Sequence, residues 1–161
     1  MDPGDPGTTG LRAVADTNVL AYYLLRTEPF YEEARSFWQA TEEVWAPDSW
    51  RIELLNVLWL AVRAGVLQLP QAELYITRAE SLVTNTYPVM DLAEAAIRLA
   101  VSHQHPAYDT AFVALATRKN LPLATFDGKV LERFPEQASL PSAILRTIKK
   151  KEEANDESSG P

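Results

Sequence analysis

Residues 11–24, LRAVADTNVLAYYL, place a short apolar run, one aspartate and a helical pattern directly after one another. The run LRAVAD predicts a β-strand that ends at Asp16, and Thr17 to Leu25 predict a short helix. A strand that leads directly into a helix is the building unit of parallel α/β sheets. This stretch therefore predicts an α/β fold with an acidic side chain at the end of its first strand.

Short apolar runs alternate with helical patterns along the rest of the chain. Glu28 and Pro29 open a second helix, Asp48 and Ser49 supply an N-cap for a third, and Asp91 caps a fifth. The predicted helices after the first are 28–43, 50–65, 69–83, 91–104, 106–120 and 129–134, and the later strands are VWAP (44–47), TYPVM (86–90), LPLATF (121–126) and SAILR (142–146). We therefore expect a parallel sheet that helices cover on both faces.

The length of 161 residues fits one ordinary domain, and 47% hydrophobic and 23% charged residues are typical of a folded globular chain. Residues 1–10 are interpreted as a flexible N-terminal extension, 11–148 as the folded domain and 149–161 as a disordered charged tail. The chain has no cysteine, which excludes disulfides and sulfur-ligated zinc and suits the cytoplasm. No signal peptide and no membrane-spanning segment is predicted.

Four acidic residues stand where a sheet of this kind places its ligands. Asp16 follows the first strand and Asp127 follows the fourth, and ligands of such sheets bind at the carboxyl ends of the strands. Glu53 and Asp109 lie in the first turns of two helices whose remaining residues are mostly apolar, so we expect both helices to be largely buried. The sequence therefore predicts one site that collects all four acids.

These acids lack an obvious local partner, since neither Glu53 nor Asp109 has a lysine or arginine three or four residues further along its helix. Crowded carboxylates raise each other's pKa unless a hard divalent cation lies among them. An acid-only cluster favours Mg²⁺ or Mn²⁺ over zinc, and such a cation suits phosphodiester hydrolysis. The net charge of −7 argues against a general nucleic-acid coat but not against a nuclease, because bound cations offset part of it.

Each acid taken alone also has an ordinary structural explanation. Asp16 could cap the following helix, and Asp127 before Gly128 could be a turn residue. Glu53 could extend from an exposed edge into solvent, and Asp109 could interact with the dipole of its helix. The joint pattern, rather than any single residue, favours the metal site.

The motifs AVADTNVLAYYL, IELLNVL, YDTAFVALA and LATFDGKVL follow one another over most of the predicted domain. In combination they resemble the PIN-domain family, and more narrowly the VapC-type toxins of bacterial toxin-antitoxin pairs. The resemblance implies a three-layer α/β/α sandwich with a central parallel sheet of about five strands. It also implies a Mg²⁺- or Mn²⁺-dependent endoribonuclease whose acidic set is Asp16, Glu53, Asp109 and Asp127.

By position, the resemblance implies that Asp16 and Asp109 bind the metal directly, that Glu53 binds it or orients its water, and that Asp127 completes the cluster. The nucleophile is then metal-activated water, which leaves a 5′-phosphate and a 3′-hydroxyl on the cleaved RNA.

The resemblance also extends to supporting residues and to partners. Asn18 and Thr125 match polar positions that usually support the site. VapC-like proteins are commonly homodimers and are inhibited by an antitoxin that covers the active-site groove. We therefore expect a homodimer and a cognate antitoxin in addition to the RNA substrate.

Other classes of function stay open at this point. A haloacid-dehalogenase-like phosphatase would have a second aspartate where this chain has Asn18, and a receiver-type domain would have an adjacent acidic pair, which LRAVADTN lacks. A PIN-fold protein could process RNA outside a toxin-antitoxin pair, or could bind partners without catalysis. The presence of all four acids favours the nuclease.

Some remaining residues have less specific interpretations. His103 and His105, which flank a turn before Pro106, are interpreted as loop residues, and the aromatic residues at 22, 23, 38, 45, 50 and 59 as core or interface groups. Five basic residues are candidates for contacts with RNA phosphates, with solvated surface as the alternative: Arg26, Arg51, Arg118, Lys119 and Lys129.

Overall fold

The structure is a computed structural model that describes residues 10–158. Its strands are β1 (Leu11–Ala15), β2 (Thr41–Pro47), β3 (Asn85–Tyr87), β4 (Leu123–Ala124) and β5 (Ala138–Ser139). Its helices are α1 (Thr17–Leu24), α2 (Tyr31–Ala40), α3 (Trp50–Arg63), α4 (Leu69–Leu82), α5 (Ala93–His103), α6 (Ala107–Lys119), α7 (Gly128–Arg133) and α8 (Pro141–Ser158), and a 3₁₀ turn spans Val89–Leu92.

The strands form a parallel sheet in the order β3-β2-β1-β4-β5, which confirms the predicted fold class. β1 is central, because Val14 pairs with Trp45 of β2 on one side and with Leu123 of β4 on the other. The chain builds outward from β1 to β3 and then returns to add β4 and β5 on the opposite side. The strand order therefore reverses between β1 and β4, and open α/β sheets bind ligands at such a reversal.

The helices connect the strands and cover the sheet, as the three-layer prediction requires. α6 packs against β1 and β2, and α5 packs against α6. α1 contacts α2 and α3, α4 packs against α3, and α8 packs against α2. Since α6 leads into β4, its first residue lies at the same edge of the sheet as the last residue of β4.

The predicted fifth strand is wrong. Residues 142–146, SAILR, lie in α8, and the fifth strand is Ala138–Ser139, which pairs with β4. Pro141 begins α8 at a position where its missing N–H costs nothing. A run of three apolar residues cannot by its pattern distinguish a strand from one turn of a buried helix.

The boundaries of three strands also differ from the prediction. α2 ends at Ala40 rather than at residue 43, because Thr41 pairs with Leu11 and begins β2. The strand predicted over TYPVM ends at Tyr87, since Pro88 has no N–H to donate to a neighbouring strand. β4 is shorter than predicted and contains only two residues.

The predicted N-caps of two helices are corrected. The Asp48 carboxylate accepts a hydrogen bond from the Val89 N–H (2.9 Å) instead of capping α3, and Ser49 stands at the cap position without a side-chain cap bond. Asp91 lies within the 3₁₀ turn, and Leu92 occupies the residue before α5. Asp48 thereby connects the end of β2 to the segment that follows β3.

The two apolar helices that carry predicted acids differ in burial. Every residue from Thr110 to Ala116 in α6 is buried, which confirms the expectation for that helix. α3 buries only a narrow stripe that begins at Trp50 and ends at Ala61, whereas Ile52 is 67% exposed and Trp59 is 54% exposed. The expectation that α3 is largely buried is therefore wrong, and a second apolar stripe of this helix faces solvent.

The last helix extends past residue 149, where the sequence analysis placed the start of the charged tail. α8 runs from Pro141 to Ser158, and the division into an extension, a domain and a tail stays a prediction. The predicted extension at 1–10, apart from Gly10, and residues 159–161 lie outside the described residues. None of the helices within residues 10–158 combines the length and apolarity needed to cross a membrane.

The burial of α6 makes its central leucine a test of the fold. Leu115 is 0% exposed, and we expect Leu115→Ala to lower the free energy of unfolding by about 2–5 kcal/mol through reduced burial and a residual cavity. Leu74 in α4 is 69% exposed, so Leu74→Ala should change it by less than about 0.5 kcal/mol. Urea unfolding measures both values, and equal losses would contradict the assignment of α6 to the core.

Candidate metal centre

Asp16 and Thr125 meet where the strand order reverses. The Asp16 backbone N–H donates to the Ala124 carbonyl (2.9 Å), which continues the pairing of β1 with β4 by one residue. The Thr125 hydroxyl donates to Asp16 Oδ2 (2.8 Å), and both side chains are buried. Asp16 precedes α1 but makes no side-chain cap bond to it, so the geometry does not support the capping explanation.

Asn18 connects the ends of the same two strands. Its Nδ2 donates to Asp16 Oδ2 and to the Thr125 hydroxyl (both 3.2 Å), and its Oδ1 accepts from the Phe126 N–H (3.1 Å). Both the amide nitrogen and the amide oxygen of Asn18 thus bind residues that directly follow β1 and β4. Asn18 and Thr125, both predicted as supporting residues, lie in one hydrogen-bond network with Asp16.

Asp127 lies at the same edge but has a structural role there. Its Oδ1 accepts from the backbone N–H groups of Lys129 (2.8 Å) and Val130 (3.1 Å), so Asp127 is the N-cap of α7. Its own N–H donates to the Thr125 hydroxyl (3.0 Å). The turn explanation therefore holds for Asp127, whose capping bonds engage one carboxylate oxygen. The negative charge of the group still raises the pKa of Asp109.

Glu53 reaches the site from the first turn of α3. Its Oε2 accepts from the Thr17 hydroxyl (2.8 Å), which joins α3 to the start of α1. Its Oε1 is buried, and no described residue donates a hydrogen bond of ordinary geometry to it, although the Ser49 hydroxyl lies close enough to the carboxylate to lower its pKa. A buried carboxylate oxygen without a donor is costly, so this atom is a position where a ligand would relieve an unfavourable state.

Asp109 reaches the site from the first turn of α6 and is held by a histidine. His105 Nε2 lies 2.8 Å from Asp109 Oδ2, one helical turn before it. His105 is 6% exposed and its ring packs edge-on against Phe134. His105 thus lies in the loop between α5 and α6, as predicted, but contacts Asp109 there. The prediction that His103 is a loop residue is wrong, because His103 is the last residue of α5.

The carboxylates influence each other electrostatically. Burial raises the pKa of Asp16 from 3.8 to about 7, with the negative charges of Asp109 and Glu53 adding to the rise and the Thr125 hydrogen bond opposing it. Burial and the charge of Asp109 raise the pKa of Glu53. Burial likewise raises the pKa of Asp109, where Asp127 adds to the rise and His105 opposes it. The four predicted acids therefore act on one another within a single region.

The donor chemistry of this region fits a hard divalent cation. Within residues 10–158, no three carboxylate or imidazole side chains lie close enough together to form a complete ligand set by themselves. Mg²⁺ does not require such a set, because it keeps several waters and usually takes one or two carboxylates together with substrate phosphate oxygens. The unpartnered Glu53 Oε1 and the raised pKa of Asp16 both indicate carboxylates that positive charge would stabilise.

Two residues of the site were missed by the sequence analysis. Thr17 binds Glu53, and His105 binds Asp109. A signal for His105 was present, since it lies four residues before Asp109, but partners were sought only at the positions after the acid. The signal for Thr17 was weaker, because its contact with Glu53 spans 36 residues of sequence.

Three of the five basic side chains that the sequence analysis proposed for contacts with RNA are engaged within the protein. Arg51 forms an ion pair with Glu80 (2.6 Å), and Arg118 donates to the Asp91 carbonyl (3.3 Å). Lys119 Nζ lies 3.8 Å from the centre of the Trp45 ring. These three side chains therefore have contacts within the protein, which makes them weaker candidates for phosphate binding.

Comparisons with known proteins agree with this fold. The chain is 28% identical over 129 residues to Ribonuclease VapC3 from Pyrobaculum aerophilum, which covers 78% of this chain and 96% of that protein. The crystal structure of PAE2754 from Pyrobaculum aerophilum superposes with a TM-score of 0.63 at 17% identity, over 86% of this chain and 89% of that one. A toxin-antitoxin complex from Klebsiella pneumoniae superposes with a TM-score of 0.57 at 22% identity, over 80% of this chain and 97% of that one.

The family match covers the whole region that builds the candidate centre. Residues 13–137 match the PIN domain, from within β1 to the residue before β5. This range includes the four carboxylates, both supporting residues and the point where the strand order reverses. The protein belongs to the PIN domain family.

Proposed function

We propose that this protein is a Mg²⁺- or Mn²⁺-dependent endoribonuclease, and that it is the toxin of a type II toxin-antitoxin pair in the cytoplasm. Three carboxylates from separate elements, Asp16, Glu53 and Asp109, carry the proposal. Their pKa values are all raised, and among the side chains that the structure describes no lysine or arginine lies within ion-pair distance of any of them. The similarity to Ribonuclease VapC3 supports RNA as the substrate.

The chemistry follows from which atoms are already engaged. Thr125 and Asn18 hold Asp16 Oδ2, Thr17 holds Glu53 Oε2, and His105 holds Asp109 Oδ2. Each acid thus has one oxygen fixed by the protein, which orients the carboxylate as a whole. A cation bound there would supply a water of lowered pKa as the nucleophile and would stabilise charge on the phosphate.

Glu53 and Asp127 have further roles in the proposed reaction. Glu53 Oε1, which no described residue contacts through a hydrogen bond, is the atom best placed to accept a hydrogen bond from the attacking water. Asp127 fixes the start of α7 and adds negative charge beside Asp109. Cleavage by water in this arrangement would give a 5′-phosphate and a 3′-hydroxyl.

Removal of single carboxylates tests the catalytic assignment. We expect Glu53→Gln and Asp109→Asn each to lower the rate of RNA cleavage in Mn²⁺ by at least about 100-fold, because each removes charge from the proposed centre. Glu73→Gln, an exposed acid in α4, is the matched control and should keep the wild-type rate. Cleavage of a fluorescent single-stranded RNA measures the rates, and undiminished cleavage by a clean Asp109→Asn preparation would refute the assignment.

The raised pKa of Asp16 predicts a pH-dependent stability. The folded chain holds the Asp16 proton more tightly than the unfolded chain, so the stabilisation is complete below pH 3.8 and is lost as the pH rises through about 7. With chelator at pH 8, Asp16→Asn should therefore be more stable than the wild type by about 1 kcal/mol or more, because it removes a buried charge. The difference should narrow as the pH falls toward 4.

Thermal unfolding at several pH values, with and without Mn²⁺, checks this expectation. At 100 times its Kd, Mn²⁺ should stabilise the wild type by about 2.7 kcal/mol and leave the Asn variant nearly unchanged. Equal stability of the two proteins at pH 8 in chelator would contradict the electrostatic description of Asp16. A wild type that does not respond to Mn²⁺ at any concentration would contradict the metal centre itself.

The proposed partners are supported by an exposed apolar stripe on α3. Ile52, Leu55 and Trp59 lie on one side of this helix, at 67%, 44% and 54% exposure. Apolar side chains grouped in this way at a surface are typical of protein interfaces. We assign this stripe to the homodimer, because a single helix can pair with its own copy about a two-fold axis. The toxin-antitoxin complex from Klebsiella pneumoniae supports an antitoxin as a further partner.

A charge placed within the stripe tests the dimer. Leu55→Glu should convert a dimer into a monomer, because two buried carboxylates would face each other across the axis. Val101→Glu, at a site in α5 that is 73% exposed, introduces the same charge and should leave the dimer intact. Light scattering after size-exclusion chromatography gives the masses. A wild type that is monomeric throughout would reject the homodimer.

A further inference from the structure

A polar cleft lies between α1, the loop that follows it, α2 and α4. It has a volume of about 170 Å³. Its walls combine three tyrosines, two arginines and one leucine: Tyr23, Leu24, Arg26, Tyr31, Tyr75 and Arg78. None of the predicted catalytic acids lines it, so this cleft is a separate feature of the molecule.

The two guanidinium groups of the cleft are held by tyrosine rings. Arg78 lies over the Tyr23 ring (5.2 Å to its centre) and its Nη2 donates to the Tyr23 hydroxyl (2.6 Å). Arg26 lies over the Tyr31 ring (5.8 Å), and the rings of Tyr23 and Tyr31 are stacked 6.1 Å apart. The guanidiniums are therefore restrained on their ring-facing sides and free to donate on their other sides.

Neither guanidinium of the cleft has an acidic partner. No carboxylate whose side chain the structure describes lies within ion-pair distance of Arg26 or Arg78, although Arg12, Arg35, Arg51 and Arg98 all form such pairs. Since Arg78 donates to the Tyr23 hydroxyl oxygen, the proton of that hydroxyl is also available. The cleft thus offers several donors and two positive charges in a chain whose net charge is −7.

The backbone at Arg26 adopts a conformation that is unfavourable for its side chain. Its φ is +51°, in the left-handed region that glycine or asparagine usually occupies. The residue belongs to the turn after α1, where its N–H donates to the Tyr23 carbonyl (3.3 Å). An arginine here bears a conformational cost that glycine would avoid, and such positions often have a functional role.

The cleft lies one short helix away from the proposed metal centre. α1 begins beside Asp16 and ends beside the cleft, and its eight residues span about 12 Å. Aromatic contacts border the same path, since the Tyr22 ring lies 5.7 Å from that of Phe126, the residue before Asp127. A nucleic acid strand that occupies the metal centre could therefore extend over α1 into the cleft.

From this arrangement the geometry points to a phosphate subsite: Arg26 and Arg78 bind a backbone phosphate of single-stranded RNA a few nucleotides from the bond that is cleaved. The inference rests on the proposed ribonuclease function. Guanidinium groups bind phosphate oxygens through paired, charge-assisted hydrogen bonds, and the cleft has room for a phosphate group but not for a helix. An acidic peptide would offer similar charges, but RNA already has to lie beside α1 to reach the acids.

The test measures affinity and its salt dependence. A fluorescent 12-nucleotide single-stranded RNA is titrated with full-length Asp109→Asn protein, which binds without cleaving, and with the same protein carrying Arg26→Gln and Arg78→Gln. We expect the two added changes to raise Kd about tenfold, because they remove charge-assisted hydrogen bonds to phosphate. The slope of log K against log salt should fall by about 0.7 for each phosphate that the variant no longer binds.

Two controls separate this effect from general electrostatics and from misfolding. Arg98→Gln with Arg146→Gln removes the same charge from α5 and α8, and should change Kd less than twofold. Circular dichroism should show the cleft variant folded at the assay temperature. If the cleft variant binds RNA as tightly as its parent, or if neither binds RNA, the inference is overturned. Unchanged RNA affinity with weaker binding of polyglutamate would assign the cleft to a protein partner instead.

The outcomes also separate this inference from the proposed function. Wild-type protein that cleaves RNA, together with a cleft variant of unchanged affinity, would retain the nuclease and reject the subsite. The opposite result would reject the nuclease and retain the subsite: the wild type cleaves RNA in no divalent metal, and the cleft variant binds RNA more weakly and with a smaller salt dependence than its parent.

Discussion

The pairing of β1 with β4 is the contact on which the candidate centre depends. β4 contributes only two residues to the sheet, yet its register against β1 sets Thr125 beside Asp16 and allows Asn18 to bond to both strands. A shift of this register by one residue would turn the Thr125 side chain to the opposite face of the sheet. The hydroxyl of Thr125 therefore links fold and site, since it contacts Asp16, Asn18 and the backbone of Asp127.

The same centre accumulates unfavourable electrostatic energy. Asp16, Glu53 and Asp109 come from three different parts of the chain, and burial together with repulsion from neighbouring carboxylates, which for Asp109 is that of Asp127, raises the pKa of each. The surrounding hydrogen bonds from Thr125, Thr17 and His105 offset part of this cost. Folding thus holds the carboxylates in an arrangement that they would not adopt alone, and the buried α6 and the β1–β4 pair supply the rigidity that this requires.

Sequence reasoning predicted the parallel sheet and the group of acids because both leave local signals. Apolar runs that alternate with helical patterns predict the sheet, and Asp16 and Asp127 directly follow predicted strands. The missed features depend on distant contacts. Residues 142–146 are helical, because Ala138 and Ser139 occupy the edge of β4 with which a fifth strand pairs. The outer stripe of α3 is exposed, although its composition resembles that of a buried helix. The contact of Thr17 with Glu53 likewise exists only once α1 and α3 have packed.

The continuous burial of α6 limits how this protein can be controlled. Asp109 lies in the first turn of that helix, directly before the seven residues from Thr110 to Ala116, which are all buried. Segments enclosed in this way open mainly when the whole domain opens, so the backbone directly after Asp109 should resist local unfolding. The protein therefore gains a rigid support for one of its proposed metal ligands at the expense of an exchangeable helix. Amide hydrogen exchange along α6 should be slowest in this segment and should approach the rate set by global unfolding.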